Sequence, residues 1–482
     1  MRKFSSIIII ALTINANAQL FTPKDVSLWD IWCYHHEQTW YMYFLSSTSL
    51  RVFDGFSVAT SRDGVHWEMN GTPIHTPKDI QGGLGTGYTW KSPKFLQDSI
   101  FYCNFTVDAR PQNGGTEESS YIRFAESKNL LNWQILEPEF RPDPRWYKTN
   151  YRWDCIKTIP REGGGYYGYW TAAPLESLGF GFGETDDGIH WKALPPPILE
   201  WGSYPVPEEV EVGGVGRIGD KYYALLTAFT RSKKDYKVVT FTADSPSGPF
   251  TAAPENFYVL PGLQYTWFPG FFPSPEGMLV THFSLTTRKT GRMPVCSAAP
   301  LKRALVDRDG TLRLAWWEGN QVLKGIQKDV KLNRQNGGNN NRPVFPNETF
   351  DMQRGTIIEG NIKFSPNAAE ESPGICFESP NGGYNAIRLL SSSATAAGKI
   401  SVDGTGFLPD QEIDRDMPLR KTANFRLLAR HDIIEFYMDD ILFNVYSIPL
   451  PANAKIGFLN NARGIKKIKT WTTTLPNQQL PL

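Results

Sequence analysis

The chain contains few cysteines, almost no net charge and no long apolar stretch, and each of these absences excludes a class of structure or partner. Its 482 residues include only five cysteines, and their scattered positions fit neither a disulfide framework nor a zinc site. The formal net charge is +1, from 50 Lys and Arg against 49 Asp and Glu. A nucleic-acid or anionic-membrane partner would require a basic face, so we expect neither. No residue spacing typical of a metal or phosphate site occurs, and we expect no cofactor.

The strongly apolar segment at the N-terminus predicts a secretory signal peptide over residues 1–18. Basic residues at positions 2 and 3 precede the apolar residues 7–12, and Ala16-Asn17-Ala18 supplies the small-x-small pattern of a cleavage site. A membrane span needs roughly 20 apolar residues, and no segment of the sequence reaches that length. We therefore expect a protein that is secreted or periplasmic and is not inserted into a membrane.

A short phrase that recurs four times is the main indication of the fold. It occupies residues 57–67, 123–133, 181–191 and, in a weaker form, 240–250. Each copy combines a strand, a Ser/Thr-Asp/Asn-Gly type of turn and an aromatic residue that starts the next strand. The closing aromatic residues are about 60 positions apart, which is the length of the four short strands of one propeller blade. With a fifth unit near residues 255–325, the pattern predicts a five-bladed β-propeller over residues 19–330.

The remainder of the chain predicts a second β domain, so the expected fold class is all-β. Residues 331–346 are polar and rich in turn-forming residues, which indicates a linker. About ten short strands with intervening turns then follow in residues 347–482, and this pattern is typical of a β-sandwich. The glycine-rich residues 82–87 have no strand–helix context and are interpreted as a loop at the mouth of the propeller channel.

Three acidic residues have similar settings in three of the predicted blades. Asp30, Asp154 and Glu211 each precede a Tyr-rich strand by about ten residues. Because the innermost strand of every blade lines one central channel, acids at equivalent blade positions would meet there. Cleavage of a glycosidic bond requires two carboxyl groups, one that protonates the leaving oxygen and one that attacks or activates water. The trio therefore predicts a hydrolytic site.

Two glutamates compete for the role of the acid in the fourth blade. Glu209 and Glu211 are two positions apart on a predicted strand and would face the same side, whereas Glu208 would face the other side. Either Glu209 or Glu211 could be the proton donor. The spacing of ten residues to Lys221 favours Glu211.

These acids and their surroundings resemble glycoside hydrolase family 32 and its propeller relatives, families 43, 68 and 117. The family 32 motifs W-x-N-D-P-N-G, Arg-Asp-Pro and Glu-Cys fit Asp30, Asp154 and Glu211 in that order, although the residues that follow each acid differ here. Residues 299–305 with 309–312 are similar to the P-R-x-L…G-x-L segment after the family's propeller. Residues 431–440 are similar to the S-x-x-E-x-F-x-N-x-G strand pair of its C-terminal sandwich. The resemblance extends over nearly the whole mature chain.

The resemblance implies a role for each acid. Asp30 would be the nucleophile, as in family 32, or the base that deprotonates water, as in the inverting family 43. Asp154 would stabilise the transition state, and Glu211 would donate the proton. Trp90 lies in a segment similar to the family's W-S-G segment, which implies a stacking contact with the sugar. The other predicted substrate-binding residues are neighbours of the acids, namely Trp29, Arg152 and Glu209.

The expected function is therefore hydrolysis of a carbohydrate, with a furanoside as the substrate. The resemblance favours a fructan first and an arabinan second. The alternative is a carbohydrate-binding protein without catalytic activity, because the residues that flank Asp30 and Asp154 differ from the family motifs. Product release distinguishes the two hypotheses.

Overall fold

The structure of the protein, a computed structural model, is almost entirely built from β-strands. It describes residues 17–480, except for residues 19, 25, 48–52, 78–82, 109–119, 231, 233–234, 255–257, 261–265, 291–292, 331, 333–342, 364–373, 380–382, 392–395, 404–410, 416–421, 460–463 and 479. The predicted signal peptide lies outside the described residues, apart from Asn17 and Ala18. In the described part of the chain, no helix is long and apolar enough to cross a membrane.

The first two blades are antiparallel sheets whose first long strand is innermost. Blade 1 consists of β1 (Asn17–Ala18), β2 (Trp29–His36), β3 (Thr39–Ser46), β4 (Gly55–Ser61), β5 (His66–Met69) and β6 (Ile74–His75). Blade 2 consists of β7 (Gly83–Lys91), β8 (Phe101–Asp108), β9 (Tyr121–Ser127) and β10 (Gln134–Phe140), with the short helix α1 (Phe95–Asp98) between its first two strands.

The next three blades repeat this arrangement. Blade 3 consists of β11 (Asp154–Pro160), β12 (Tyr166–Thr171), β13 (Gly181–Thr185) and β14 (Lys192–Leu194). Blade 4 consists of β15 (Leu199–Glu200), β16 (Glu209–Ile218), β17 (Lys221–Thr230), β18 (Asp235–Ala243), β19 (Phe250–Ala252) and β20 (Tyr258–Leu260). Blade 5 consists of β21 (Thr266–Ser274), β22 (Gly277–Thr290), β23 (Met293–Ala298), β24 (Lys302–Val306) and β25 (Leu312–Trp316).

The five blades close into a ring around a central channel. The inner strands β2, β7, β11, β16 and β21 pack side by side in this order, and β21 packs against β2 again. The prediction of a five-bladed propeller is therefore confirmed.

The repeated phrase forms the turn between the third and fourth strands of a blade. In blade 1 the Ser61 hydroxyl accepts the backbone N–H of Gly64, and the Asp63 carboxylate accepts that of His66. Blade 3 reproduces both hydrogen bonds with Thr185 and Asp187. Such side chains satisfy the backbone of a tight turn locally. The repeat therefore builds blades, and the chemistry lies elsewhere.

A two-layered β-sandwich follows the propeller, after a 3-10 helix (Glu318–Leu323). Its first sheet contains β26 (Lys324–Asp329), β28 (Thr356–Lys363), β33 (Thr422–Arg430), β34 (Ile433–Met438), β35 (Ile441–Ser447) and β38 (Ile465–Thr473). Its second sheet contains β29 (Gly374–Glu378), β30 (Tyr384–Ser391), β31 (Ala396–Asp403), β32 (Gln411–Arg415) and β37 (Ile456–Phe458), and the short strands β27 (Phe350–Asp351) and β36 (Asn453–Ala454) pair with each other. Apolar residues of both sheets form the core between them.

The boundary between the two domains differs from the prediction. Strand β26 pairs with β38 at the edge of the sandwich sheet, so residues 324–329 belong to the sandwich and the predicted boundary at residue 330 is too late. Residues 333–342 of the predicted linker lie outside the described residues. Val344 forms a β-bridge with Phe458, so this part of the predicted linker is held against the sandwich.

The propeller and the sandwich are joined by a sheet contact and by a buried ion pair. Strand β25 of blade 5 pairs with β35, which makes the two sheets continuous. Lys302 of blade 5 contacts Glu435 of β34, and both side chains are fully buried. Glu435 also accepts a hydrogen bond from the Tyr437 hydroxyl at 2.5 Å.

Candidate active site

Every inner strand has a β-bulge in its N-terminal half. The pairing register shifts between Trp29 and Ile31, Leu84 and Gly87, Asp154 and Lys157, Val212 and Gly214, and Trp267 and Gly270. Three of the residues in these bulges have positive φ angles without being glycine, namely Asp30, Cys155 and Phe268 (36°, 48° and 44°). Bulges redirect side chains and are frequent beside active sites, and such backbone strain needs a well-determined surrounding structure.

The structure brings the predicted acids of blades 3 and 4 together around one arginine. Arg152 Nη2 lies 2.7 Å from Asp154 Oδ2 and also contacts Glu211 Oε1, and its Nη1 lies 3.4 Å from Glu209 Oε1. The charges of Glu211 and Asp154 act on Asp30, which lies on the inner strand of blade 1. The sequence predicts that the three acids occupy equivalent blade positions. They lie near the start of their inner strands, but their positions relative to the bulges differ. Asp30 lies in its bulge, Asp154 directly before one, and Glu211 two residues before Gly213.

Glu209 and Glu211 share one face of β16, as their spacing predicts. Both side chains are buried and both contact Arg152. Glu208 points the other way and accepts a hydrogen bond from the Ser232 hydroxyl at the surface. Of the two buried glutamates, Glu211 is the one whose charge acts most strongly on Asp30. This geometry favours Glu211 over Glu209 as the partner of Asp30.

Asp154 is held in place by blade 2. The Thr106 hydroxyl of β8 donates a hydrogen bond of 2.5 Å to Asp154 Oδ1. A Cβ atom on Gly85 would lie 2.8 Å from Thr106 Cβ and 3.2 Å from Asp154 Oδ1. A glycine is therefore required where β7 passes this hydrogen bond. Residues 83–87 belong to β7 and do not form the loop that their glycine content predicts.

Asp30 lies in the most unfavourable setting for a charged carboxylate. Burial raises the pKa of Asp30 well above its ordinary value, and the charges of Glu211 and Asp154 raise it further. The positive charges of Lys157 and Arg152 act in the opposite direction. Within the described residues, the Asp30 side chain has no hydrogen-bond partner. Its ionisation therefore depends on the balance of surrounding charges.

Sequence reasoning missed Lys157, Tyr88 and Phe268, which come together from the inner strands of blades 3, 2 and 5. Lys157 Nζ donates a hydrogen bond of 3.1 Å to the Gly87 carbonyl oxygen and lies 5.3 Å from the ring centre of Tyr88 and 4.8 Å from that of Phe268. The Tyr88 hydroxyl donates to the Phe271 carbonyl oxygen at 3.3 Å and so links blade 2 to blade 5. Lys157 is 2% exposed. Lys157 follows the apolar Cys155 and Ile156 in the sequence, and a lysine among residue types that favour the interior was the signal that could have identified it.

The two tryptophans that the sequence predicts to bind the sugar differ in their exposure. Trp29 is partly exposed beside Asp30, and its ring centre lies 5.5 Å from that of Trp267 and 6.0 Å from that of Phe53. Trp90 is 3% exposed and packs edge-on against Phe124 and Trp191 in the core between blades. A stacking contact between Trp90 and a sugar is therefore ruled out by burial, and Trp29 stays the candidate ring.

Arg152 and Glu209, the other predicted substrate contacts, lie at the site. The guanidinium of Arg152 forms an ion pair with the Glu209 carboxylate. Among the residues that the structure describes, no group of three or more His, Cys, Asp or Glu side chains could hold a metal ion.

Comparisons with known proteins identify the architecture. No protein-family model matches the sequence, and no curated protein sequence is similar to it. The structure is similar to sucrose-6-phosphate hydrolase from Lactobacillus gasseri (TM-score 0.69, 13% identity, 96% of this chain and 94% of that chain covered). It is also similar to β-fructofuranosidase from Schwanniomyces occidentalis complexed with fructosyl-erythritol (0.69, 14%, 98% and 100%). A third similar structure is a glycoside hydrolase family 32 protein from Bifidobacterium adolescentis (0.66, 11%, 95% and 81%). The chain thus has a fold like that of glycoside hydrolase family 32, a five-bladed propeller followed by a sandwich.

Proposed function

We propose that the protein is a glycoside hydrolase that cleaves a furanosidic bond, in a fructan first and in an arabinan second. The observation that carries this proposal is the convergence of Asp30, Asp154 and Glu211 from three blades on one site bridged by Arg152. The fold supports it, because structures with this fold include a sucrose-6-phosphate hydrolase and a β-fructofuranosidase complexed with fructosyl-erythritol.

In the proposed reaction Glu211 donates its proton to the oxygen of the leaving group. Asp30 attacks the anomeric carbon or removes a proton from the water molecule that does so. Asp154, fixed by Thr106 and Arg152, stabilises the positive charge that develops on the sugar ring. Trp29, Arg152 and Glu209 contact the sugar beside the acids. The substrate is a carbohydrate, and export by the predicted signal peptide would bring the enzyme to it outside the cytoplasm.

Replacement of the proton donor tests the proposal. We expect Glu211→Gln to lower turnover by about 10²- to 10⁴-fold, which is the usual contribution of a general acid. The substrate panel consists of sucrose, fructans, arabinans and aryl furanosides, with product release as the measurement. Glu208→Gln is the matched control, because Glu208 precedes the same strand but faces away from the site. Turnover of Glu211→Gln within about tenfold of the unmodified protein would contradict the assignment.

A carbohydrate-binding protein without activity is the second candidate. Arg152 contacts one carboxylate oxygen of Glu211, and a carboxylate paired with a guanidinium is less available as a proton donor. Saturable binding of one sugar class, with no product after long incubation, would favour this candidate. Isothermal titration on the same panel of substrates measures it.

A further inference from the structure

Lys157 occupies a place at which a buried cation needs an explanation. Its side chain is 2% exposed, and within the described residues it forms no ion pair. The ammonium group donates a hydrogen bond to the Gly87 carbonyl oxygen, forms a second one with the Cys155 side chain and lies near two aromatic rings. Burial of a charge without compensation is costly. A lysine in this position is therefore expected to act on a group of opposite charge nearby.

The β-bulge in β11 turns Lys157 toward the acids. Asp154 pairs with Thr171 and Lys157 pairs with Tyr169, so two residues of β11 between these pairs lie opposite one residue of β12. Residues that are two apart on a strand share a face, and the bulge therefore gives Asp154 and Lys157 the same face. On a regular strand, residues three apart would face opposite sides.

The contacts of the ammonium group place it near the two inner strands that flank β2, the strand of Asp30. Tyr88 belongs to β7 and Phe268 to β21, and these are the inner strands on either side of β2 in the ring. A group near both rings is close to β2, whose bulge contains Asp30, and its positive charge acts on Asp30.

We propose that Lys157 is a positioning residue that holds the carboxylate of Asp30 in the charged form that the reaction requires. This inference rests on the proposed function of Asp30 as nucleophile or base. The ionisable and charged groups that face Asp30 are Glu211 of β16, Asp154 and Cys155 of β11, Cys296 of β23, Lys157 and Arg152. Both cations act on Asp30, but Arg152 also contacts Asp154 and Glu211, whereas Lys157 forms no ion pair with another carboxylate within the described residues.

The test replaces Lys157 by Gln, which keeps a donor for the Gly87 carbonyl oxygen but removes the charge. The acid limb of the pH profile of kcat/KM reports the ionisation of Asp30 in the free enzyme. A nearby opposite charge shifts a carboxyl pKa by about 1 to 3 units. We therefore expect the acid limb of Lys157→Gln to move upward by about one pH unit or more, with activity recovered above it. Lys157→Arg keeps the charge and should keep the limb near its original pH.

One further measurement separates this proposal from a purely structural role and from failure of the proposed function. Infrared spectroscopy detects the protonated carboxyl of Asp30, identified as the band that Asp30→Asn removes, and needs no turnover. We expect this band to persist to higher pH in Lys157→Gln than in the unmodified protein. Lys221→Gln, which removes an exposed charge on blade 4, is the control. An unshifted band would overturn the proposal, even in a protein that cleaves no sugar. Equal loss of activity at all pH values, with an unmoved limb, would also overturn it.

Discussion

Asp30 combines a strained backbone with a poorly compensated charge, and both features have a cost in stability. Because burial and two neighbouring carboxylates raise its pKa, the folded protein binds a proton at Asp30 more tightly than the unfolded chain. The resulting stabilisation is complete below the unfolded pKa of about 3.9. It is lost as the pH rises through the folded pKa.

Asp30→Asn should therefore increase stability at neutral pH while it abolishes activity. Asn carries no charge at any pH, so the variant does not lose the stability that the unmodified protein loses when Asp30 ionises. We expect the Tm difference between the variant and the unmodified protein to be small near pH 4 and to grow as the pH rises. A stabilisation of 1 kcal/mol corresponds to about 2–4 °C in a large domain, so calorimetry from pH 4 to pH 8 resolves it. A Tm difference that does not change with pH would contradict this account.

Asp63 is a control for which the expected change in stability with pH is opposite to that of Asp30. Burial acts to raise the pKa of Asp63, but hydrogen bonds from the side chain and backbone of His66 and from the backbone of Val65 outweigh burial and lower it. Stability from such a group is present above the unfolded pKa and is lost as the pH falls through the folded pKa. Asp63→Asn should therefore lower the Tm at neutral pH, with a difference that shrinks in acid.

The inner strands show which elements could be predicted from the sequence. The blade turns were predictable because Ser, Thr, Asp and Asn side chains bond to backbone within three residues. The bulges were not, because a bulge is defined by pairing with a partner strand and leaves no fixed local pattern. For this reason Asp154 and Lys157, three residues apart, were not recognised as sharing a face. The meeting of Asp154 and Glu211 agrees with the spacing and the family resemblance, whereas the contacts of Lys157 with Tyr88 and Phe268 have no signature in the sequence.

Strand β7 offers a test of how an element positions a distant side chain. Gly85→Ala would place a methyl group against Thr106 and Asp154, and overpacking of this kind costs about 1–3 kcal/mol. We expect the Thr106–Asp154 hydrogen bond to break and kcat to fall by up to about 100-fold, as displaced catalytic groups do. Gly270→Ala is the matched control on β21, because its Cβ would only make contacts of 3.4 Å and 3.5 Å. Equal kcat values for the two variants would show that β7 does not position Asp154.

At the scale of the whole molecule, the propeller and the sandwich form one continuous structure. Blade 5 shares a sheet with the sandwich through Ala315 and Ile441, and β26 pairs with a strand more than a hundred residues later in the chain. The strands of both domains were predictable from local alternation, but such distant pairing has no local signature. The sequence therefore indicates two domains and cannot indicate how closely they are joined.

The buried pair of Lys302 and Glu435 should make the stability of the propeller depend on the sandwich. Removal of one partner from a buried ion pair costs about 3–5 kcal/mol, because the other charge stays buried without compensation. We expect this loss for Glu435→Gln in urea unfolding, and an additional Lys302→Met substitution should restore most of it. Glu139→Gln, which breaks an exposed pair with Arg141, should change the free energy of unfolding by less than about 1 kcal/mol. If Glu435→Gln behaved like Glu139→Gln, the sheet contact of β25 with β35 would be what joins the domains, and the ion pair would contribute little.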